Sequence, residues 1–229
     1  LKLQGEIAQS VASKLKLVLS PDEIAKVTKL TTEIPEAYQE YLQGRIEWKK
    51  RSKQSFATAI KHFEKAIVLD PNLALAYAGL ADIYVVYPYW QIESPITALP
   101  KARMNAEKAI ELDPKFAQAY HWLGINLTSQ GRFDEANLNL KKGLELDPSN
   151  HVILLNNSVA LIELGKYEEA EIANKRGLSV KPSYYNNWEL LYVNYVLQSS
   201  REKDIVDLIN EIDTLTKDPK NIIIATGSS

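Results

Sequence analysis

A run of proline-ended segments at a fixed interval constrains this chain more than any other feature. Ile67-Val68-Leu69-Asp70-Pro71, Ile110-Glu111-Leu112-Asp113-Pro114, Leu144-Glu145-Leu146-Asp147-Pro148 and Leu178-Ser179-Val180-Lys181-Pro182 end alike, at intervals of 43, 34 and 34 residues. The first interval is 34 with nine residues inserted. Self-similarity at such a period marks a solenoid, because each short unit cannot bury its apolar face without a neighbour.

Upstream of each proline a small–large–small pattern recurs at spacings of four and three. It reads Ala59, Phe63, Ala66; Ala102, Ala106, Ala109; Ala136, Leu140, Gly143; and Ala170, Asn174, Gly177. Downstream comes a second pattern: Tyr77, Leu80, Ala81, Tyr84; Tyr120, Leu123, Gly124, Leu127; Leu154, Asn157, Ser158, Leu161; and Trp188, Leu191, Tyr192, Tyr195. Both spacings describe one face of a helix. Gln130-Gly131-Arg132-Phe133-Asp134-Glu135 and Leu164-Gly165-Lys166-Tyr167-Glu168-Glu169 join them. Glycine accepts the left-handed conformation that ends a helix, and the acids suit the next N-terminus. Each unit is therefore predicted to be helix, tight turn, helix. Gly124 with Ala136, and Ser158 with Ala170, are expected where paired helices cross closely. Gly143 and Gly177 inside helices, each costing about 1 kcal/mol against alanine, mark close contact with the next helix.

These patterns resemble the tetratricopeptide repeat family. Tyr120, Leu123, Gly124, Ala136 and Pro148 match it position for position, as do Tyr77, Leu80, Ala81, Tyr84, Ala102, Ala109 and Pro114. The resemblance covers about residues 36–216. It implies an all-α, right-handed superhelical solenoid of antiparallel helix pairs, preceded by two short helices. The expected organisation is an N-terminal helical segment (1–34), five units (35–71, 72–114 with the insertion, 115–148, 149–182 and 183–216) and a tail (217–229). Gly44 and Ala59 are 15 apart where the family has 12, so the first turn is expected to be longer. Tyr192, Asp204 and Glu211 replace small residues in the last unit, whose second helix is expected to cap the stack with a polar face.

At the N-terminus, Ile7, Val11, Leu15 and Val18 fall on one helical face, and Ser20-Pro21-Asp22-Glu23 opens another helix. This stretch, with Ala37-Tyr38, Tyr41-Leu42, Gly44-Arg45 and Trp48, is similar to the end of a TolB-like domain where it runs into repeats in bacterial multidomain regulators. The chain begins with Leu and is expected to be part of a longer protein, with any catalytic output outside it. Ile222–Ile224 in the tail are expected to pack on the last helix.

Composition narrows the function. Twenty-nine acidic against 27 basic residues give a net charge of -2, without the basic excess that nucleic acid demands. Cysteine is absent, which removes disulfides, thiolate metal sites and cysteine nucleophiles. It also leaves the compartment open: the cytoplasm is the expectation, the periplasm if an upstream membrane span precedes. No apolar run approaches the ~20 residues of a membrane span. The three histidines, His62, His121 and His151, show no metal-ligand spacing, and no Gly-rich phosphate loop or nucleophile elbow occurs. No enzyme activity and no cofactor are expected.

What remains is a surface. By resemblance, the first helices of successive units line a groove, through Leu75, Ala78, Asp82 and Val85; Gln118, His121, Ile125 and Thr128; Val152, Leu155, Val159 and Ile162; and Asn186, Glu189, Val193 and Val196. The partner-binding residues expected from this register are Gln118, His121, Ile125, Leu155, Asn156, Val159, Ile162 and Glu189. The insertion supplies a rim at Tyr87, Tyr89 and Trp90, residue types favoured as interface anchors. The Lys and Asn clamp of repeats that hold chaperone tails is absent: Ala78, Asp82, His121, Ile125, Leu155, Val159, Glu189 and Val193 stand in its places. The expected partner is a protein or peptide, extended or helical, bound by the interaction arm of a larger bacterial regulatory protein. Self-association is left open. Two other readings stand beside this one: the repeat arm of an O-linked N-acetylglucosamine transferase-like protein, and a structural oligomerisation module. The asparagine ladder of the former has one match, Asn156, against Gly79, Trp122 and Leu190.

Overall fold

The computed structural model describes residues 32, 34–198 and 200–217, the last three by backbone alone. The two short helices expected before residue 34, and Ile222–Ile224, lie outside the described residues. The described residues form ten helices and no strand: α1 (Pro35–Lys49), α2 (Lys53–Leu69), α3 (Ala74–Val86), α4 (Pro95–Leu112), α5 (Ala117–Thr128), α6 (Phe133–Leu146), α7 (His151–Glu163), α8 (Tyr167–Val180), α9 (Tyr185–Val196) and α10 (Glu202–Lys217). The chain divides into two compact units between Trp122 and Leu123, within α5.

The punctuation residues act locally. The Asn72 N–H donates to Asp70 Oδ1 at 2.9 Å, and the Lys115 N–H to Asp113 Oδ1 at 3.0 Å. An aspartate before proline thus closes an Asx-type turn, while the proline keeps the aspartate extended and stops the helix. Gly131 and Gly165 take φ of +72° and +69°. Around Gly165 the Lys166 N–H donates to the Leu161 carbonyl (2.8 Å) and the Gly165 N–H to the Ile162 carbonyl (2.9 Å). This double bond pattern satisfies the last carbonyls of α7 as a glycine-ended helix requires. Around Gly131, Leu127 and Thr128 accept from Arg132 and Gly131 in the same way. Asp134, Glu135, Glu168 and Glu169 fall in helix first turns. The longer first turn is not found: residues 50–52 join α1 to α2, as few as the 164–166 that join α7 to α8, and the three extra residues lengthen the start of α2 instead. Arg51 takes φ +49° within this turn, and Ser52 then caps α2 reciprocally with Ser55.

In the first unit, α1 pairs with α2 and α3 with α4. Phe63 of α2 is fully buried. A β-carbon on Gly44 of α1 would lie 2.5 Å from its ring, and one on Gly79 of α3 would lie 2.6 Å from it. The ring therefore packs against bare backbone on two helices. Phe56, Ala59, Leu80, Ile83, Tyr87 and Ala98 complete this core. The insertion is a turn, residues 87–94, folded back by Ile92 N–H to the Tyr87 carbonyl (3.1 Å) and by Gln91 at φ +52°.

In the second unit, Leu140 of α6 fills the space over Gly124, and the Ser158 hydroxyl donates to the Ala170 carbonyl across the α7–α8 crossing at 3.0 Å. Trp188, Leu191, Tyr195, Leu178 and Leu208 join α8, α9 and α10 in one cluster. Beside it Arg201 grips Glu171 with both terminal nitrogens at 3.0 and 3.2 Å, and the Tyr195 hydroxyl donates to the same carboxylate at 2.9 Å. Partial burial raises the Glu171 acid, but the bonds from Arg201, Lys175 and Tyr195 outweigh it and bring it to about 2.

The capping expectation needs correction. Helix α10 buries Leu208, with Ile205 and Ile212 partly buried, but its outer side carries Val206 and Ile209, both exposed, among acids and lysine. Its solvent side is mixed rather than polar.

Candidate functional site

The sequence-derived site residues divide between the two units. In the first, Gln118 and His121 are neighbours on α5, with Gln118 Nε2 2.9 Å from His121 Nδ1. His121 is only 1% exposed, its ring 4.6 Å from that of Trp122. Burial holds its pKa down at about 3, so the imidazole is neutral. The expectation that His121 faces a partner is thus corrected. Its 1% exposure leaves no surface for a ligand, and it serves as packing.

Tyr87 is a second correction. It was expected on a rim, but it is 7% exposed and packs on Phe56 at 6.4 Å and edge-on to Tyr84 at 5.5 Å. Trp90 rests edge-on against Phe56 at 5.2 Å and remains partly open, and Tyr89 is 71% exposed. Tyr87 and Trp90 thus both pack on Phe56, but only Tyr87 is buried.

In the second unit, Ile125, Leu155, Asn156 and Val159 are half-buried, Ile162 is buried, and Glu189 is exposed. Asn156 turns its amide back to the Val152 carbonyl at 2.9 Å. Helices α7 and α9 pack on one another. On α7, Val152, Leu155 and Val159 recur at helical spacing. On α9, Glu189, Val193 and Val196 form the equivalent stripe, with Tyr185, Tyr192 and Leu197 also exposed beside it. The opposite side of α9, through Trp188, Leu191 and Tyr195, is buried against α8 and α10. The apolar residues facing water on α9 are therefore surplus to the core.

A different concavity opens between α6, α7 and α8. It is an open cleft of about 480 Å³ whose lining includes Leu144, Leu154, Leu161 and Ile172, with Lys141 Nζ and Glu169 Oε2 3.2 Å apart at its edge. The sequence patterns did not single it out, because its lining comes from both helix types.

One further cluster was legible only as a lone charge. Asp82 is the single ionisable acid or base among the thirteen residues of α3 apart from two tyrosines, and it is 1% exposed. Arg45 Nη1 meets its Oδ2 at 3.3 Å. The guanidiniums of Arg45 and Arg51 lie over the Trp48 ring at 4.8 and 3.6 Å. Asp82 Oδ1 and the Trp48 indole nitrogen are buried without a hydrogen bond of ordinary geometry, though near enough for the indole to favour the carboxylate. Burial raises the Asp82 carboxyl to about 7, and the two guanidiniums oppose it only in part. Among the described residues no group of three or more histidines or acids is placed to hold a metal ion. No described helix is long and apolar enough to cross a membrane.

The arrangement matches known repeat proteins. Tetratricopeptide-repeat family models match residues 127–188 and 105–136. Residues 105–188 are thus similar to tetratricopeptide repeats, and the fold is that of such repeats. The solved structure of YrrB, described as a TPR protein with an unusual peptide-binding site, aligns over 91% of this chain and 99% of its own at 19% identity, with a TM-score of 0.59. PilW, a type IV pilus biogenesis factor, aligns over 78% of this chain and 76% of its own at 19% identity and a TM-score of 0.65. MamA aligns over 75% and 97% at 22% identity and a TM-score of 0.59. None of the curated proteins matches this sequence.

Proposed function

We propose that this chain is a non-catalytic scaffold that binds a segment of a partner protein along the first helices of its repeats. Helices α7 and α9 are the best-defined wall. The observation that carries this reading is the exposed apolar stripe of α9, Val193 and Val196, beside half-buried Leu155 and Val159 on α7. A repeat fold has no need of these residues outside its core, and water disfavours them unless something covers them. The peptide-binding site named for YrrB supports the same use of this fold. Ile125, Asn156 and Glu189 are proposed as polar and apolar contacts along the surface of the second unit, with Ile162 as its buried support; Gln118 in the first unit, and Tyr89 and Trp90, are proposed as separate contacts. In this reading the chain is the interaction arm of a larger regulatory protein, as the TolB-like resemblance of its first residues suggests.

The test is site-specific photo-crosslinking in lysate. A crosslinker at Val159 or Val193 should capture a defined partner, while one at Val68, 80% exposed on α2, should not. Equal capture at all three positions removes the wall from consideration. A second reading, self-association, is favoured by exposed Val206 and Ile209 on α10. It predicts that sedimentation shows a dimer lost on Val206→Asp.

A further inference from the structure

We infer that the partner segment held on α7 and α9 is apolar and basic: a stretch carrying lysine or arginine and lacking acidic residues. This rests on the reading of that wall as the binding surface, and it adds the chemistry of what binds there.

The observation is an asymmetry of charge between the two kinds of helix. Over its thirteen residues, α7 carries one formal charge, Glu163, and over its twelve α9 carries one, Glu189. Neither helix contains a lysine or arginine. The second helices are different: α6 carries Asp134, Glu135, Lys141, Lys142 and Glu145, and α8 mixes three glutamates with Lys175 and Arg176. Basic residues are therefore plentiful in this unit and absent from the wall.

The two wall carboxylates are also unengaged. Glu163 and Glu189 are exposed, and neither makes an ion pair or side-chain hydrogen bond among the described residues, whereas Glu135, Glu145, Glu169 and Glu171 all do. His151, at the start of α7, adds no positive charge at neutral pH, since burial and nearby Lys181 hold its pKa down. Lys181 itself sits over the Tyr184 ring at 5.5 Å, in the turn. Lys166 lies in the turn after α7.

The repeat register sets where the carboxylates stand. At a period of 34, Glu189 is level with Leu155, and Glu163 with Leu197. They are thus offset by eight residues, about 12 Å along the helix axes. Leu155, Val159, Val193 and Val196 fill the stretch between them. A segment laid along this wall meets apolar surface in the middle and uncompensated negative charge at both ends. Cationic side chains at its ends gain attraction, and acidic ones meet like charge. Exposed charge pairs add little affinity but decide between partners.

Selection from a random peptide display library against the immobilised full chain tests this. Recovered peptides are expected to be enriched in Lys and Arg and depleted in Asp and Glu relative to the starting library. A recovered Lys-bearing peptide and its Lys→Glu twin, compared by fluorescence anisotropy, should differ on the order of tenfold in Kd, and the difference should shrink at high salt. Glu163→Lys with Glu189→Lys should turn the preference toward acidic peptides with helical content unchanged, because both side chains are exposed and unpaired. Leu155→Asp with Val159→Asp should abolish capture. Recovered peptides without charge bias, or rich in acids, that still depend on Leu155 and Val159 overturn the basic partner and leave the wall standing. Peptides that bind the Asp variant equally well, or no recovery at all, overturn both. A concentration-dependent dimer that the Asp variant dissociates puts a second copy on the wall and overturns the basic partner.

Discussion

Leu140 occupies the space that a side chain on Gly124 would need: a β-carbon there would lie 2.5 Å from Leu140 Cγ and 2.7 Å from Cδ2. The clash involves the branch point of Leu140, which cannot swing aside as a side-chain tip could. Gly124→Leu is therefore expected to cost several kcal/mol, on the order of 3, through overpacking. Gly131 has nothing within 4 Å of its missing β-carbon, and only its φ of +72° resists a side chain. Gly131→Leu should cost about 1–2 kcal/mol. Thermal unfolding of the two variants checks the order. If Gly124→Leu melts with the parent, the crossing has been misread.

Asn174 stands where Phe63 and Leu140 stand in earlier repeats and is fully buried, yet neither atom of its amide has a hydrogen-bond partner. Unsatisfied buried amides cost about 1–3 kcal/mol. Asn174→Leu should consequently raise the melting temperature, stabilising by about 1–2 kcal/mol. Asn187, equally buried and unsatisfied, stands where Ile153 stands one unit earlier, and Gly177 lets it in: a β-carbon there would lie 2.7 Å from its Nδ2. Calorimetry showing Asn174→Leu to be destabilised would mean the amide is bonded in solution.

Tyr87→Ala should destabilise by about 3 kcal/mol, because it empties a place in the Phe56 core. Tyr89→Ala, at an exposed position, should stay within about 0.5 kcal/mol of the parent. Urea denaturation distinguishes them. Equal midpoints would return Tyr87 to the surface.

Asp82 and His121 should oppose one another as pH falls. The Asp82 carboxyl, raised by burial to about 7, holds its proton in the folded chain over a range where the unfolded chain has lost it. Its contribution to stability is therefore lost as pH rises from about 4 to 7. His121, held at about 3, stays neutral in the folded chain while the unfolded chain takes a proton below about 6.5, so its contribution is lost as pH falls. At about 1.4 kcal/mol per unit, each shifts stability by about 2 kcal/mol between pH 7 and pH 5, in opposite directions. Asp82→Asn should leave a protein that weakens on acidification over this range, and His121→Gln one that strengthens. Denaturation midpoints of both variants at the two pH values are the measurement. Parallel profiles would show that neither group is buried in solution.

The helical register was legible because it rests on periodicity. Small residues at Gly124, Ala136, Ser158 and Ala170 sit at crossings, and Gly131 and Gly165 end helices, as a 3.6-residue period and a glycine rule require. Which way an individual side chain turns was not legible. His121 and Leu155 hold the same register position 34 residues apart, yet one is 1% exposed and the other half-buried. Tyr87 and Tyr89, two residues apart, end on opposite sides of one turn.

By itself the sequence determined the repeat length, the all-helical class, the crossing and capping residues, and the absence of positive charge on α7 and α9. These depend on spacing along one chain, which local geometry converts directly into a face or a turn. The tertiary structure alone decided that Asp82 is buried against Arg45 and under the influence of Arg51, that Asn174 and Asn187 are sealed in without partners, and that Val193 and Val196 remain in water. Each depends on which residues, distant in sequence, complete the neighbourhood. Burial is a property of that whole neighbourhood and not of the residue.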